Sequence, residues 1–112
     1  MKRTGKSGGI PHDEIRVHYL KDPKQAHFAL KLALKEFGED GDVNALLDTL
    51  RLVAQAQGGI AKLARETAIS RKALYEALSQ DGNPRLRTFQ SVLEALGFRM
   101  SLKPVHGHAG VR

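Results

Sequence analysis

The sequence predicts a mainly all-α domain of five helices, flanked by short strands, and three observations carry that prediction. Apolar residues recur at three- and four-residue intervals over most of the chain, which is the helical period. The breaks in that pattern fall on residues that start or stop helices: Asp22 with Pro23, Gly38 with Gly41, Gly58 with Gly59, Asn83 with Pro84, and Gly97. Hydrophobic residues make up 41% and charged residues 27% of 112 residues, the balance of one soluble folded unit.

Residues 1–14 begin as a flexible basic arm, rich in Lys, Arg, Gly and Ser and without core-filling side chains. "IRVHYL" alternates apolar Ile15, Val17 and Tyr19 with polar Arg16 and His18, the period of a short half-buried strand. Asp22 then caps a helix whose first turn holds Pro23, and Ala26, Ala29, Leu30, Ala33, Leu34 and Phe37 form its inner stripe until "GEDG" stops it. A second helix from Asp42 carries Val43, Leu46, Leu47, Leu50, Val53 and Ala54 and ends at Gly58. Two shorter helices are expected over residues 60–67 and 71–80. The fifth starts with Asn83 as cap and Pro84 in its first turn, places Leu86, Phe89, Val92, Leu93 and Leu96 on one face, and closes at Gly97. "FRMSLKP" alternates again, as an edge strand ended by Pro104. The folded domain is thus expected over residues 15–103, with residues 104–112 as a flexible tail.

Charge and composition narrow the function. The formal charge is +6 and the isoelectric point about 9.9, which favours a polyanionic partner such as nucleic acid. The chain has no cysteine, which excludes disulfides and thiolate metal sites and fits the cytoplasm. No apolar run reaches the roughly 18 residues of a membrane span, so no membrane partner is expected. His106 and His108 stand close together without further ligand spacing, so no metal is expected. No nucleophile–base pair or phosphate cradle is recognisable, so no cofactor is expected and the protein is not read as an enzyme.

The informative stretch is "GGIAKLARETAISRKALYEALSQDG", residues 58–82. The seam "TAIS" between two helical segments gives the steep crossing of a helix-turn-helix. Leu63 and Ala64 face inward on the first segment, Ile69 plugs the turn, and Leu74 and Leu78 form the inner stripe of the second. Ser70 is placed to cap the second helix. Ser70, Arg71, Lys72, Tyr75, Glu76 and Ser79 then point outward, as side chains must to read base edges in a major groove. Lys62 and Arg65 before them, and Arg85 and Arg87 after, are placed to meet phosphates.

Together with "YLKDPKQAHFALKLAL", the run from Gly58 to Leu102 resembles the antidote proteins of bacterial addiction modules, a branch of the lambda-repressor-like (XRE-like) helix-turn-helix regulators. The resemblance covers roughly Tyr19 to Leu102, with "SRKALYEALSQDGNPRL" its most specific part. It implies a lambda-repressor-like DNA-binding fold, a homodimer on palindromic double-stranded operator DNA with autorepression, and a cognate RelE/ParE-like toxin as protein partner. Two positions depart from the wider pattern: Thr67 stands where an apolar residue is usual, and Ala68 where the turn glycine is usual.

Two surfaces are candidates for toxin contact: the segment from Ile15 to Tyr19, and the helix face bearing Lys24, His27, Lys31 and Lys35. The C-terminal strand needs a partner edge, either "IRVHYL" or its own symmetry mate, and the second would make it part of a two-fold dimer. A stand-alone transcriptional regulator without a toxin is the alternative reading.

Overall fold

The computed structural model describes residues 12–105, which form six helices and, among those residues, no strand. The helices are α1 (His12–Leu20), α2 (Pro23–Asp40), α3 (Val43–Ala56), α4 (Gly59–Thr67), α5 (Arg71–Ala77) and α6 (Leu86–Ala95). The arm's residues 1–11, and His106 and His108 of the tail, lie outside the described residues.

α3 is the hub. Leu46, Leu47, Thr49, Leu50, Leu52, Val53 and Ala54 are all buried on it, and it packs against α1, α2 and α4. The Asp42 carboxylate caps its start by accepting from the Asn44 backbone N–H at 3.0 Å. α4 in turn packs against α5 and α6. The core therefore runs from Leu20, Ala26 and Leu30 through α3 to Leu63, Leu74, Leu78, Val92 and Leu93.

The strand expected over Ile15–Leu20 is instead the second half of α1, which also takes in residues 12–14 of the expected arm. Six alternating residues satisfy a helix as well. Leu20 is buried, Val17 packs on the core, and the Arg16 guanidinium reaches Asp48 of α3 at 3.3 Å, while Ile15 and Tyr19 face out. Asp13 and Glu14 in the first turn complement the helix dipole.

The strand expected in Phe98–Lys103 does not form either. α6 ends in a Schellman motif, in which Gly97 at φ 95° donates to the Glu94 carbonyl at 3.0 Å and Phe98 to the Leu93 carbonyl at 2.8 Å. That turn folds Phe98 back onto the core and against His27 of α2, with ring centroids 5.7 Å apart. The following backbone finds no strand partner among the described residues, since the candidate within the chain, Ile15–Leu20, is helical; Leu102 is 98% exposed.

Helix boundaries also move. α2 runs through Gly38 to Asp40 and is closed by Gly41, whose N–H bonds the Phe37 carbonyl at 2.8 Å. Lys35 and Glu39 pair across Gly38 at 3.0 Å. Leu34 and Phe37, expected in the core stripe, are exposed. α6 starts two residues later than Asn83 and Pro84 indicate, with Arg85 extended at its cap. Proline's locked φ near −65° suits extended backbone as well as a first helical turn, so the signal was ambiguous. Leu86, expected inward, is exposed at that first turn.

Gly38 lies within α2 with nothing within 4 Å of a Cβ built there. Gly38→Ala is expected to stabilise the fold by about 0.5–1 kcal/mol, through the lower backbone entropy of its unfolded chain. A urea titration checks this: the midpoint should rise with the slope unchanged.

Candidate nucleic-acid interface

The seam between α4 and α5 is a three-residue turn built from the residues the sequence placed there. Ala68 adopts φ 61° and ψ 22°, left-handed backbone, and its N–H bonds the Ala64 carbonyl at 3.0 Å. Thr67, the other departure from the wider pattern, stabilises this turn. Its hydroxyl donates to the Leu63 carbonyl at 2.8 Å and accepts from the Ile69 N–H at 3.2 Å. Ile69 packs against the core, and Ser70 Oγ accepts from the Ala73 N–H at 3.0 Å as the cap of α5.

The far end of α5 is held by α3. Arg51 donates to the Leu78 carbonyl and to Asp48 Oδ1, the latter at 2.9 Å, and Asp48 is also the partner of Arg16. In a continued helix the Leu78 carbonyl would accept from the Gly82 N–H; that N–H bonds Ser79 at 2.8 Å instead. α5 stops at Ala77 rather than reaching Gln80, and the Glu76 carbonyl, which the Gln80 N–H would use in a continued helix, accepts from the Ser79 N–H at 3.4 Å and the Ser79 hydroxyl at 2.9 Å. One turn on, the Asp81 N–H donates to Asn44 Oδ1 at 2.7 Å, and Asn44 Nδ2 donates back to the Asp81 carboxylate at 3.3 Å. Gly82 completes the loop where only a glycine fits, since a Cβ would meet the Ala77 carbonyl oxygen at 2.4 Å.

With its inner residues Leu74 and Leu78 at 0% and 1% exposure, α5 presents its other side outward. Ser70, Arg71, Lys72 and Glu76 are exposed, and Tyr75 is 59% exposed. Ser79 differs: it lies past the helix, half-buried, with its hydroxyl donating to the Glu76 carbonyl at 2.9 Å. Arg65, Arg85 and Arg87 are exposed. Lys62 is exposed too, but it lies 3.9 Å from Glu66 and 3.4 Å from the Gln57 carbonyl. Such exposed contacts are weak and leave its charge available. An α-helix with its side chains is about 10–12 Å across, which fits a major groove about 12 Å wide.

A shallow depression lies elsewhere, between the end of α4 and α6, lined by Glu66, Thr67, Ser91, Glu94 and Ala95. Its two carboxylates repel phosphate. Among the described residues no cluster of three His, Cys, Asp or Glu side chains could hold a metal, and no helix is long and apolar enough to cross a membrane.

A family model described as "probable addiction module antidote protein" matches residues 16–104. The chain belongs to that family. An antidote of this kind has a toxin of some kind as its partner. An uncharacterised protein of Haemophilus influenzae is similar to this antidote-family chain, 32% identical over 74 residues, which are 66% of this chain and 75% of that protein. No solved structure matches it.

The helix face bearing Lys24, Lys31 and Lys35 also carries two apolar residues that the sequence pattern did not single out. Phe28 and Leu32 of α2, absent from the inner stripe, stand exposed beside the lysines of that helix. Their four-residue spacing was the available signal, set off from the core stripe by about half a turn.

The turn gives two opposed stability effects. Ala68→Gly is expected to stabilise the protein by about 0.5–1 kcal/mol by relieving left-handed alanine, whereas Ser70→Ala should cost about 1 kcal/mol through loss of the cap. Urea unfolding of both variants checks the signs.

Proposed function

We propose that the protein is a non-enzymatic antitoxin of a type II toxin–antitoxin module. In this reading it binds its own operator as a dimer through a helix-turn-helix made of α4 and α5, and neutralises a RelE/ParE-like toxin. The observation that carries the DNA half is the outer side of α5. Arg71, Lys72, Tyr75 and Glu76 are exposed together on a short helix whose start is capped by Ser70 and whose end is gripped by Arg51. A helix held at both ends presents its side chains to a groove with little ordering cost.

The roles divide by chemistry. Arg71 and Lys72 carry donors suited to guanine O6 and N7, and Glu76 can accept from cytosine N4. Lys62, Arg65, Arg85 and Arg87 flank α5 as phosphate contacts, which set register without reading sequence. Ser70 and Ser79 serve mainly through the backbone they cap, each hydroxyl being engaged within the chain. A two-fold dimer would set two copies of α5 about one helical turn of DNA apart, on a palindromic operator. The exposed segment after Phe98 is a candidate for pairing with its symmetry mate.

Gel shifts on the DNA upstream of its own gene, at several salt concentrations, test operator reading. Arg71→Ala should cost about 1–3 kcal/mol on the specific site with little change on random DNA, while Lys62→Ala should weaken both alike and lower the salt slope by about one. Equal losses from both variants on both DNAs would overturn the assignment. For the toxin half, co-expression with the protein encoded by the adjacent gene should yield a stable complex. A chain that purifies alone under those conditions is a stand-alone regulator.

A further inference from the structure

α2 has one side in the core and one that no other described residue covers. Ala26, Leu30 and Ala33 are buried against α3 and α1. About half a turn away, Phe28 is 64% and Leu32 44% exposed, one turn apart on the same face. At 100° per residue, Lys24, Lys31 and Lys35 fall within about 40° of one another and directly beside that pair, forming an edge about 16 Å long. All three are exposed, and α2 contains no carboxylate before Glu36. Lys35 pairs with Glu39, but both side chains are mostly exposed, so another carboxylate can exchange with it at little cost.

Three kinds of occupant differ in how they meet such a surface. Nucleic acid matches the lysines, yet Phe28 and Leu32 gain nothing against a phosphate backbone. A second copy of this chain, packed antiparallel about a two-fold axis, sets one lysine edge directly against the other, and like charges facing each other destabilise the pairing. A protein segment with apolar side chains bordered on one edge by carboxylates satisfies both halves of the surface.

We propose that this face of α2, with Phe28 and Leu32 as apolar anchors and Lys24, Lys31 and Lys35 as the charged edge, is where the toxin partner docks, through a segment of that chemistry. The proposal rests on the antidote reading and gives it a location. His27 is not part of the face, since its ring lies against Phe98. α2 packs on α1 and α3 whereas α5 packs on α4, so the two surfaces sit on different elements of the fold.

The test uses the full-length chain and the protein encoded by the adjacent gene, with affinity measured by calorimetry and folding checked by thermal melts. Phe28→Ser and Lys31→Glu should each weaken the complex by about tenfold or more, with melting temperature and operator affinity unchanged. Lys31→Glu should also reduce the dependence of affinity on salt. If the wild-type complex forms and every α2 variant stays within about twofold of it, the docking site is wrong and the antidote reading stands. If the α2 variants lose operator affinity instead, the face belongs to DNA and the proposal is overturned. If the wild-type chain forms no complex at all, the antidote reading falls and this proposal with it.

Discussion

The fold depends on the burial of α3. Leu47, Leu50 and Val53 have no exposed surface, so α3 forms the apolar centre around which the other elements are arranged. Its polar residues do as much as its apolar ones. Asp48 and Arg51 connect α1 to the end of α5, Asn44 holds the loop after α5, and Gln57 at its end donates to the Leu20 carbonyl at 3.0 Å, closing α1. Each of these groups bonds a backbone or charged atom of another segment, which fixes how the segments meet.

The same constraint accounts for the position of α5. A helix of seven residues is too short to persist alone in water. It is formed because Leu74 and Leu78 are drawn into the core, Ser70 satisfies a free N–H at one end, and the Arg51 guanidinium takes a carbonyl at the other. Left-handed Ala68 shows the fold overriding a local preference, with the Thr67 hydroxyl bonding on both sides of the turn. The exposed side of α5 is thus held by interactions that use none of its outward side chains except the Ser70 hydroxyl.

Much of this was legible in the chain. The caps of α2 and α5 by Asp22 and Ser70, the start of α3 at Asp42, the inner residues Leu63, Ile69, Leu74 and Leu78, and the closure of α6 at Gly97 all follow from residue type and spacing. The two end segments were misread because alternation over six or seven residues is compatible with helix, strand or extended coil. A strand also needs a neighbour, which no local pattern supplies. The outward residues of α5 could be named, but Ser79 could not be separated from them, since the loop that follows Ala77 is held by Arg51 and Asn44 of α3, 27 and 37 positions away.

The sequence by itself determined which residues are apolar, that Asp22 and Ser70 cap their helices, and where the chain would turn, because those depend on side-chain chemistry within a few positions. Only the tertiary structure decided that residues 12–20 are helical, that α5 ends at Ala77, and that Phe28 and Leu32 are left outside the core. The physical reason is the same in each case. These outcomes depend on which partner a group finds across the fold, and Asp48, Arg51 and the buried face of α3 become partners only once distant segments have packed together.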